Sequence, residues 1–393
     1  MNWGCVMNKR IAIIVDDFPS PGRPVFVFVQ QLVITLADQG VEIDVVAPQS
    51  LTHALFRGEA LRPRDSIEET QGGHQFRVHR PFCVSFGIGH KFLYRLSSKF
   101  NQHGLTKTLK KVRPDVIYGH FWHSANKALD YAVKNRLPVF VACGEGDDAL
   151  ELLVDRMPPE RKRLLAEMVK GVVCVSSENK RKCLEYGLAR DSNTIVLPNC
   201  VDDHLFKPMD GKAERASLGI KDDDFVISFT GAFIKRKGSL VLSDAVKKLA
   251  DPQIKLIFMG KPLKGDDCTP DCPGIAYMAS TEHNIMPKYL NASDVFVLPT
   301  LKEGCCNAIV EALACGIPVI SSNRPFNDDI LNEDNSIVVN PEDADAVAKA
   351  ISLMKSDKTF YAKKKDYALI HSGNYSITDR AHKIINFINE KIS

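Results

Sequence analysis

Short runs of β-branched and aliphatic residues alternate along this chain with stretches in which apolar positions recur every three or four residues. Residues 11–15, 42–47, 75–79, 116–118, 139–142, 172–175 and 194–197 read as strands, and 25–39, 125–135 and 161–170 as helices among them. Strands that are apolar throughout, instead of on every second position, belong to parallel sheets with helices on both faces. The alternation pauses at PNCVDDHLFKPMDGKAERASLGIKDDD, a stretch rich in turn residues and charge, which reads as a link between domains. It then resumes, with strands at 225–230, 254–259, 275–278, 295–298, 319–321 and 336–339 and helices at 238–250, 286–291, 305–315 and 343–354. The pattern predicts an α/β protein of two doubly wound domains facing each other across a cleft, over residues 1–203 and 204–372. Residues 373–393 end in an amphipathic helix. Ligands of such sheets sit outside the carboxyl ends of the strands, so the loops that follow strands are where chemistry is to be sought.

Length agrees, since 393 residues exceed one ordinary compact domain and suit two. An apolar fraction of 45% and a charged fraction of 25% are average, so each half can bury a core. The net charge of +3 gives no reason to expect a nucleic-acid partner. Its distribution is uneven: residues 1–200 hold 27 Lys and Arg against 21 Asp and Glu, and the remainder 24 against 27. The excess concentrates between Phe82 and Pro114, where Lys91, Arg95, Lys99, Lys107, Lys110, Lys111 and Arg113 occur without an acid and the first of them interleave with aromatics. Two readings stand: a basic, aromatic surface that rests on anionic lipid or holds a lipid-phosphate acceptor, or a helix with one buried and one solvated cationic face.

The 11 cysteines lack framework spacing and suit a reducing compartment. Cys268 and Cys272 form a close pair without two further ligands at zinc spacing, so that loop reads as surface and no metal is expected. The apolar run before Asp16 is too short for a signal peptide, and no run approaches the ~20 apolar residues of a membrane span. The expectation is a cytoplasmic protein, with residues 82–113 as its candidate contact with the membrane.

One stretch does not fit a purely structural reading. LKEGCCNAIVEALACGIPVIS, residues 301–321, looks like a buried helix and strand yet begins at one carboxylate, Glu303, and carries another, Glu311. DVFVLPTLKEG runs off an apolar strand and turns at Pro299, which places Glu303 at a strand's carboxyl end. Gly304 follows, and the amides of Cys305, Cys306 and Asn307 are expected free at the helix start, an anion-binding arrangement. If the helix is regular from Glu303, Glu311 lies about 12 Å further along. Two acids so spaced cannot share one proton or one metal, but they can grip separate hydroxyl-rich ends of one extended ligand, with phosphates between.

With those flanks, the stretch resembles the E-x7-E signature of the family 4 glycosyltransferases, retaining enzymes of the GT-B fold with two Rossmann-like domains. The resemblance implies that Glu303 contacts the transferred sugar and Glu311 the ribose of a nucleotide-sugar donor, UDP- or GDP-linked. FVISFTGAFIKRKGSLVLSDAVKKL is similar to the family's phosphate-binding segment. Gly231, Lys237 and Gly238 fit it; Ala232 stands where the family has an Arg, a place Arg236 is able to fill. VSSENKRKCLEYG and IVLPNCVDDHLF also resemble the family, with Cys200 in place of a glycine. In the first loop, where the family often has paired glycines against the diphosphate, Gly22 alone remains, followed by Arg23 and Pro24. Arg23 is placed either to meet an anionic acceptor or donor phosphate or to point into solvent. The widest departure is PVFVACGEGDDALEL, where Gly144 takes the position of a family His and leaves Glu145 and Asp147 as polar candidates. His120, after another strand, reads as a site residue or as a packed histidine.

The resemblance thus implies a retaining hexosyltransferase of cell-surface polysaccharide biosynthesis, with the donor in the C-terminal domain and a saccharide or lipid-linked acceptor in the N-terminal one. Glu303, Lys237, Arg236, His120 and Glu145 are its catalytic candidates, and no cofactor or metal is called for, because cations and helix amides suffice for the departing diphosphate. The acidic runs 222–224 and 266–267 read as solvated charge and not as a metal site. The C-terminal helix is expected to cross back to the first domain. Two alternatives remain at this point: another nucleotide-sugar enzyme of the same fold, such as an epimerase, and a non-catalytic sugar-nucleotide-binding or membrane scaffold protein.

Overall fold

The structure, a computed structural model, describes residues 9–20, 23, 25–85 and 91–393, with the side chains of residues 91–96 and 147–148 left out. It divides into two compact units: an N-terminal one that runs to Val175 and takes in Asn179–Leu197 and Thr378–Ser393, and a C-terminal one of Ser176–Glu178 and Pro198–Ile377. No helix among the described residues is long and apolar enough to cross a membrane.

The N-terminal unit contains strands β1 (Arg10–Val15), β2 (Glu42–Val46), β3 (Gln49–Ser50), β4 (Asp65–Glu69), β5 (Gln75–His79), β6 (Phe82–Cys83), β7 (Val116–His120), β8 (Val139–Cys143), β9 (Val169–Cys174) and β10 (Thr194–Val196). Eight of them form one sheet in the order β10-β9-β8-β7-β1-β2-β5-β4, while β3 and β6 pair separately. Central strands are buried along their length, as in Ile11–Val15 and Val139–Cys143, because helices cover both faces. The chain leaves β1 for β2 on one side and later sets β7 on the other, both in parallel, which makes the β1–β7 junction the switch point of the sheet. The edge strand β4, DSIEE, pairs antiparallel with β5 and is largely exposed, so its sequence carries too little apolar signal to predict it. The final helix, Ile377–Ile392, sets Phe387 edge-on to Phe140, with ring centres 6.2 Å apart.

The C-terminal unit contains β11 (Phe225–Thr230), β12 (Ile254–Met259), β13 (Ile275–Ala279), β14 (Val295–Leu298), β15 (Val319–Ser322) and β16 (Ser336–Val339). They form a parallel sheet in the order β13-β12-β11-β14-β15-β16, whose switch point is the β11–β14 junction. Phe229, Phe233 and Phe258 pack as an aromatic cluster with centres 5.6–6.2 Å apart. The doubly wound α/β class expected from the sequence is the class observed.

Several local expectations need correction. The helix expected at 305–315 spans Asn307–Ala314, because Cys306 is extended (φ −82°, ψ 103°) and Glu303 is engaged in the loop before it. The 12 Å separation presumed a helix from Glu303 and does not apply. In the link, Lys212–Ser217 form a short helix. Asp222 is exposed, as are Asp266 and Asp267, but Asp224 is buried and accepts the Lys221 amide at 2.8 Å. Residues 91–112, within the basic segment, form one long helix, Lys91–Val112; Phe86 to His90 lie outside the described residues.

Candidate functional site

Two loops meet at the β11–β14 switch point. After β11 the chain turns through Gly231 into a short 3-10 turn, Lys235–Lys237, and Gly238 (φ +74°) starts the helix Ser239–Leu249. A β-carbon at Gly238 would lie 2.3 Å from the Pro299 carbonyl oxygen, so glycine is what lets this loop touch the one after β14. The contact is tied by backbone, with the Leu301 amide donating to the Arg236 carbonyl at 2.8 Å.

That approach creates a charged knot. One oxygen of Glu303 accepts from Arg236 Nη1 at 2.7 Å, Lys237 Nζ at 2.6 Å and Thr300 Oγ1 at 2.8 Å. Arg236 also donates to the Lys302 carbonyl at 2.6 Å. Lys237 and Glu303 have side chains 15% and 13% exposed, against 43% for Arg236, so the lysine is the cation held inside. Burial opposes the charge of Lys237, but Cys306 and Glu303 beside it prevail and its pKa is raised. The ammonium is therefore permanent at neutral pH.

Beyond Glu303 the helix Asn307–Ala314 begins with no side-chain cap and no acid in its first turn. Its first amides are those of Asn307 and Ala308, two residues later than expected. Cys306 is buried, its thiol pushed up to about 11 mainly by burial, and Cys305 is partly buried. Asn307 accepts from Asn199 at 2.7 Å, which joins the LPNC turn to the same helix start. Glu311, in the second turn, is 6% exposed and sits 3.0 Å from His283 Nε2, whose ring rests 4.9 Å from that of Phe206. His283 follows β13 in a polar loop, and nothing in its spacing marked it; strand-end position alone was the available signal. The structure thus brings Arg236, Lys237, Glu303, Gly304, Asn307 and Glu311 around one end of one sheet.

The N-terminal candidates behave differently. Gly22 lies outside the described residues. Arg23 pairs with Asp17 and Glu59, each at 2.8 Å, with its side chain still 37% exposed. His120 closes β7, buried among Phe28, Tyr118 and Phe121, and burial with the nearby charge of Arg380 lowers its pKa to about 3. It is a neutral, packed histidine. Glu145 spends both oxygens on backbone, accepting from the Trp122 amide at 2.7 Å and the Gly144 amide at 3.1 Å, and so caps the helix Trp122–Asn135. Burial pushes its carboxyl up to about 7 although backbone amides pull the other way. A β-carbon at Gly144 would meet Phe121 and Val175 at 3.2 Å, so a larger side chain there would need its neighbours to give way. Asp147 falls among the undescribed side chains. Among the described residues, Cys143, Cys174 and Cys183 bring their thiols within 4.8 Å of one another in the core.

Comparison with known proteins agrees on both units. Residues 25–205 match the family model described as Glycosyltransferase Family 4, and residues 224–357 the model described as Glycosyl transferases group 1. The chain is 27% identical over 238 residues to the UDP-Gal:alpha-D-GlcNAc-diphosphoundecaprenol alpha-1,3-galactosyltransferase of Escherichia coli, over 56% of this chain and 60% of that one. It is 24% identical over 357 residues to the putative teichuronic acid biosynthesis glycosyltransferase TuaC of Bacillus subtilis, covering 87% of this chain and 88% of that one. Among solved structures, sucrose-phosphate synthase from Thermosynechococcus elongatus superposes with a TM-score of 0.73 at 17% identity, over 98% of this chain and 99% of that one.

Proposed function

Because the chain belongs to the family 4 glycosyltransferases, with the GT-B fold, we propose that it moves a sugar from a nucleotide diphosphate sugar to a saccharide or lipid-linked saccharide acceptor, with retention of configuration. The observation that carries this reading is the knot at the β11–β14 switch point, where one carboxylate holds two cations beside an uncapped helix start. A diphosphate has the charge to draw Lys237 and Arg236 away from Glu303, and the Asn307 and Ala308 amides continue the same cradle. Glu303, released from the cations, is then the acceptor for hydroxyls of the transferred sugar, and Glu311 for those of the ribose.

As the glycosidic bond breaks, negative charge grows on the leaving diphosphate, and preorganised cations stabilise that state more than the ground state. The leaving phosphate oxygen takes the acceptor's proton on the same face. Two fixed cations and the helix amides supply the positive charge a divalent ion would otherwise bring, so the reaction is proposed to proceed in a chelator. The E. coli relative, by its name, transfers from UDP-galactose to a diphosphoundecaprenol-linked sugar, and TuaC belongs to teichuronic acid biosynthesis. Both favour a surface-polysaccharide acceptor. The long helix Lys91–Val112, with Lys110 and Lys111 in its last turn, is the proposed contact with an anionic membrane on the cytoplasmic side.

The test is release of free sugar from a panel of UDP- and GDP-sugars without acceptor, with chelator present. One donor should be hydrolysed slowly, and Glu303→Gln should remove that turnover while leaving the fold intact. Donor binding without turnover, with or without acceptor, would instead mark a binding protein.

A further inference from the structure

The parallel strands β8 and β9 set Cys143 beside Cys174 in register, so both thiols leave the same face of the sheet at its carboxyl end. The helix Ser177–Glu185 adds Cys183, whose Sγ is 3.4 Å from that of Cys143. All three residues are 0% exposed, and their thiols lie within 4.8 Å of one another. Tetrahedral bonds of about 2.3 Å from one central atom put sulfurs roughly 3.8 Å apart, so the triangle has the size of a three-sulfur ligand set. No further His, Asp, Glu or Cys among the described residues joins the group. The groups that act most strongly on these thiols are one another, Trp122 and Glu145, none of them a cation.

We infer that Cys143, Cys174 and Cys183 form a binding site for a trivalent, thiophilic metalloid, with arsenic(III) as its probe, and not a zinc or copper site. The inference is independent of the transferase reading. Charge decides among the soft ions that thiolates attract. Three thiolates around Cu(I) leave two negative charges in a dry core with no cation to meet them. Around Zn(II) they leave one, and zinc in a closed site also takes a fourth ligand. Arsenous acid, As(OH)3, is uncharged at neutral pH, and its product with three thiols is uncharged too. Three S–H and three As–O bonds break, three As–S and three O–H bonds form, and three waters leave. Arsenic stays trivalent, so no oxidant or reductant takes part. The way in is through the helix: of its nine residues only Asn179 and Cys183 are buried, so local opening lifts it at less cost than unfolding the sheet. Bound arsenic ties β8, β9 and the helix together and opposes that opening.

Intact-mass spectrometry of the folded full chain after incubation with arsenite provides the test, with X-ray absorption at the arsenic edge to count the neighbours of the bound atom. The adduct should hold one arsenic that has lost all three hydroxyls and sits in a shell of three sulfurs. A dithiol adduct, as at the adjacent Cys305 and Cys306, keeps one hydroxyl and is heavier by one water. If that adduct, or none, is all the parent forms, the inference falls. Cys174→Ala and Cys183→Ala should each abolish the three-sulfur adduct, whereas Cys268→Ala should leave it; survival in both of the first two overturns the inference. The parent's mass and sulfur count decide the matter even where a core variant does not fold. Equimolar Zn(II) should leave the adduct unchanged, and zinc that prevents it makes the site a divalent one and overturns the assignment.

Discussion

The two units place polar groups at strand ends by opposite means. In the C-terminal unit Glu303, Arg236 and Lys237 stay charged and satisfy one another, with the lysine's pKa raised. In the N-terminal unit burial drives two strand-end groups toward neutrality, His120 down to about 3 and Glu145 up to about 7, while Asp16 and Asp17 after β1 are matched by Lys127, Arg62 and Arg23. The difference teaches what each unit is built to meet. Cations held on an exchangeable carboxylate remain available to a ligand of higher charge; neutralised groups offer hydrogen bonds and shape.

The largest effect that would break this comparison lies in the cations. Lys237→Ala should lower kcat/KM for donor hydrolysis by about 10²–10³, the loss typical of a preorganised stabiliser of developing charge. Arg236→Ala should cost nearer tenfold, because the arginine's side chain is 43% exposed against 15% for the lysine and solvent screens its contribution. Equal losses would show that the two cations serve the diphosphate alike, and a larger loss at Arg236 would make the guanidinium the principal contact.

The next effect is on stability against pH. Glu145 has a folded pKa of about 7, above its ordinary 4.5, so the folded state holds its proton more tightly than the unfolded chain. Its stabilising influence is complete below pH 4.5 and is lost as pH rises through 7, by at most about 3 kcal/mol. His120 has the opposite sign: its depressed pKa leaves stability intact above 6.5 and drains it as pH falls from there toward 3. Thermal unfolding of Glu145→Gln and of the parent between pH 5 and 8 should therefore give curves that diverge as pH rises, with the variant relatively more stable at pH 8. Parallel curves would remove Glu145 from the account.

The fold class and both sheets were legible because central parallel strands are apolar along their whole length, a signal that survives without knowledge of their partners. Lys237 and Glu303 were legible for a related reason: each follows such a strand by a few residues, beside a glycine. What escaped detection depended on contacts distant in sequence. The strand DSIEE is specified by pairing with β5 and not by its own residues. The helix start at Asn307 was misplaced because Glu303 is recruited by cations 66 and 67 residues away, which holds the loop out of the helix. Glu145 was taken for a group facing a ligand because sequence cannot show that its oxygens end on the Trp122 and Gly144 amides. His283 was missed since a polar loop after a short strand has no spacing to betray a partner 28 residues on.

The smallest effect concerns that histidine. Glu311 is 6% exposed, and a carboxylate so placed needs a donor; His283 Nε2 at 3.0 Å supplies one, and the ring is in turn steadied against Phe206. On the proposed reading, in which Glu311 meets the ribose, His283 is a positioning residue: its hydrogen bond occupies Glu311 Oε1 and leaves the other oxygen and the remaining lone pairs for the ribose. Ribose is held equally in the ground and transition states, so the bond contributes uniform binding and no rate. His283→Ala should raise the donor KM by about three- to tenfold, the worth of one hydrogen bond of roughly 1 kcal/mol, with kcat unchanged. His283→Gln, able to donate from a similar distance, should recover part of the loss. Steady-state kinetics on the donor identified by the hydrolysis panel decide the matter: a fall in kcat at constant KM would put His283 at the reacting end of the ligand and break the assignment of Glu311 to the ribose.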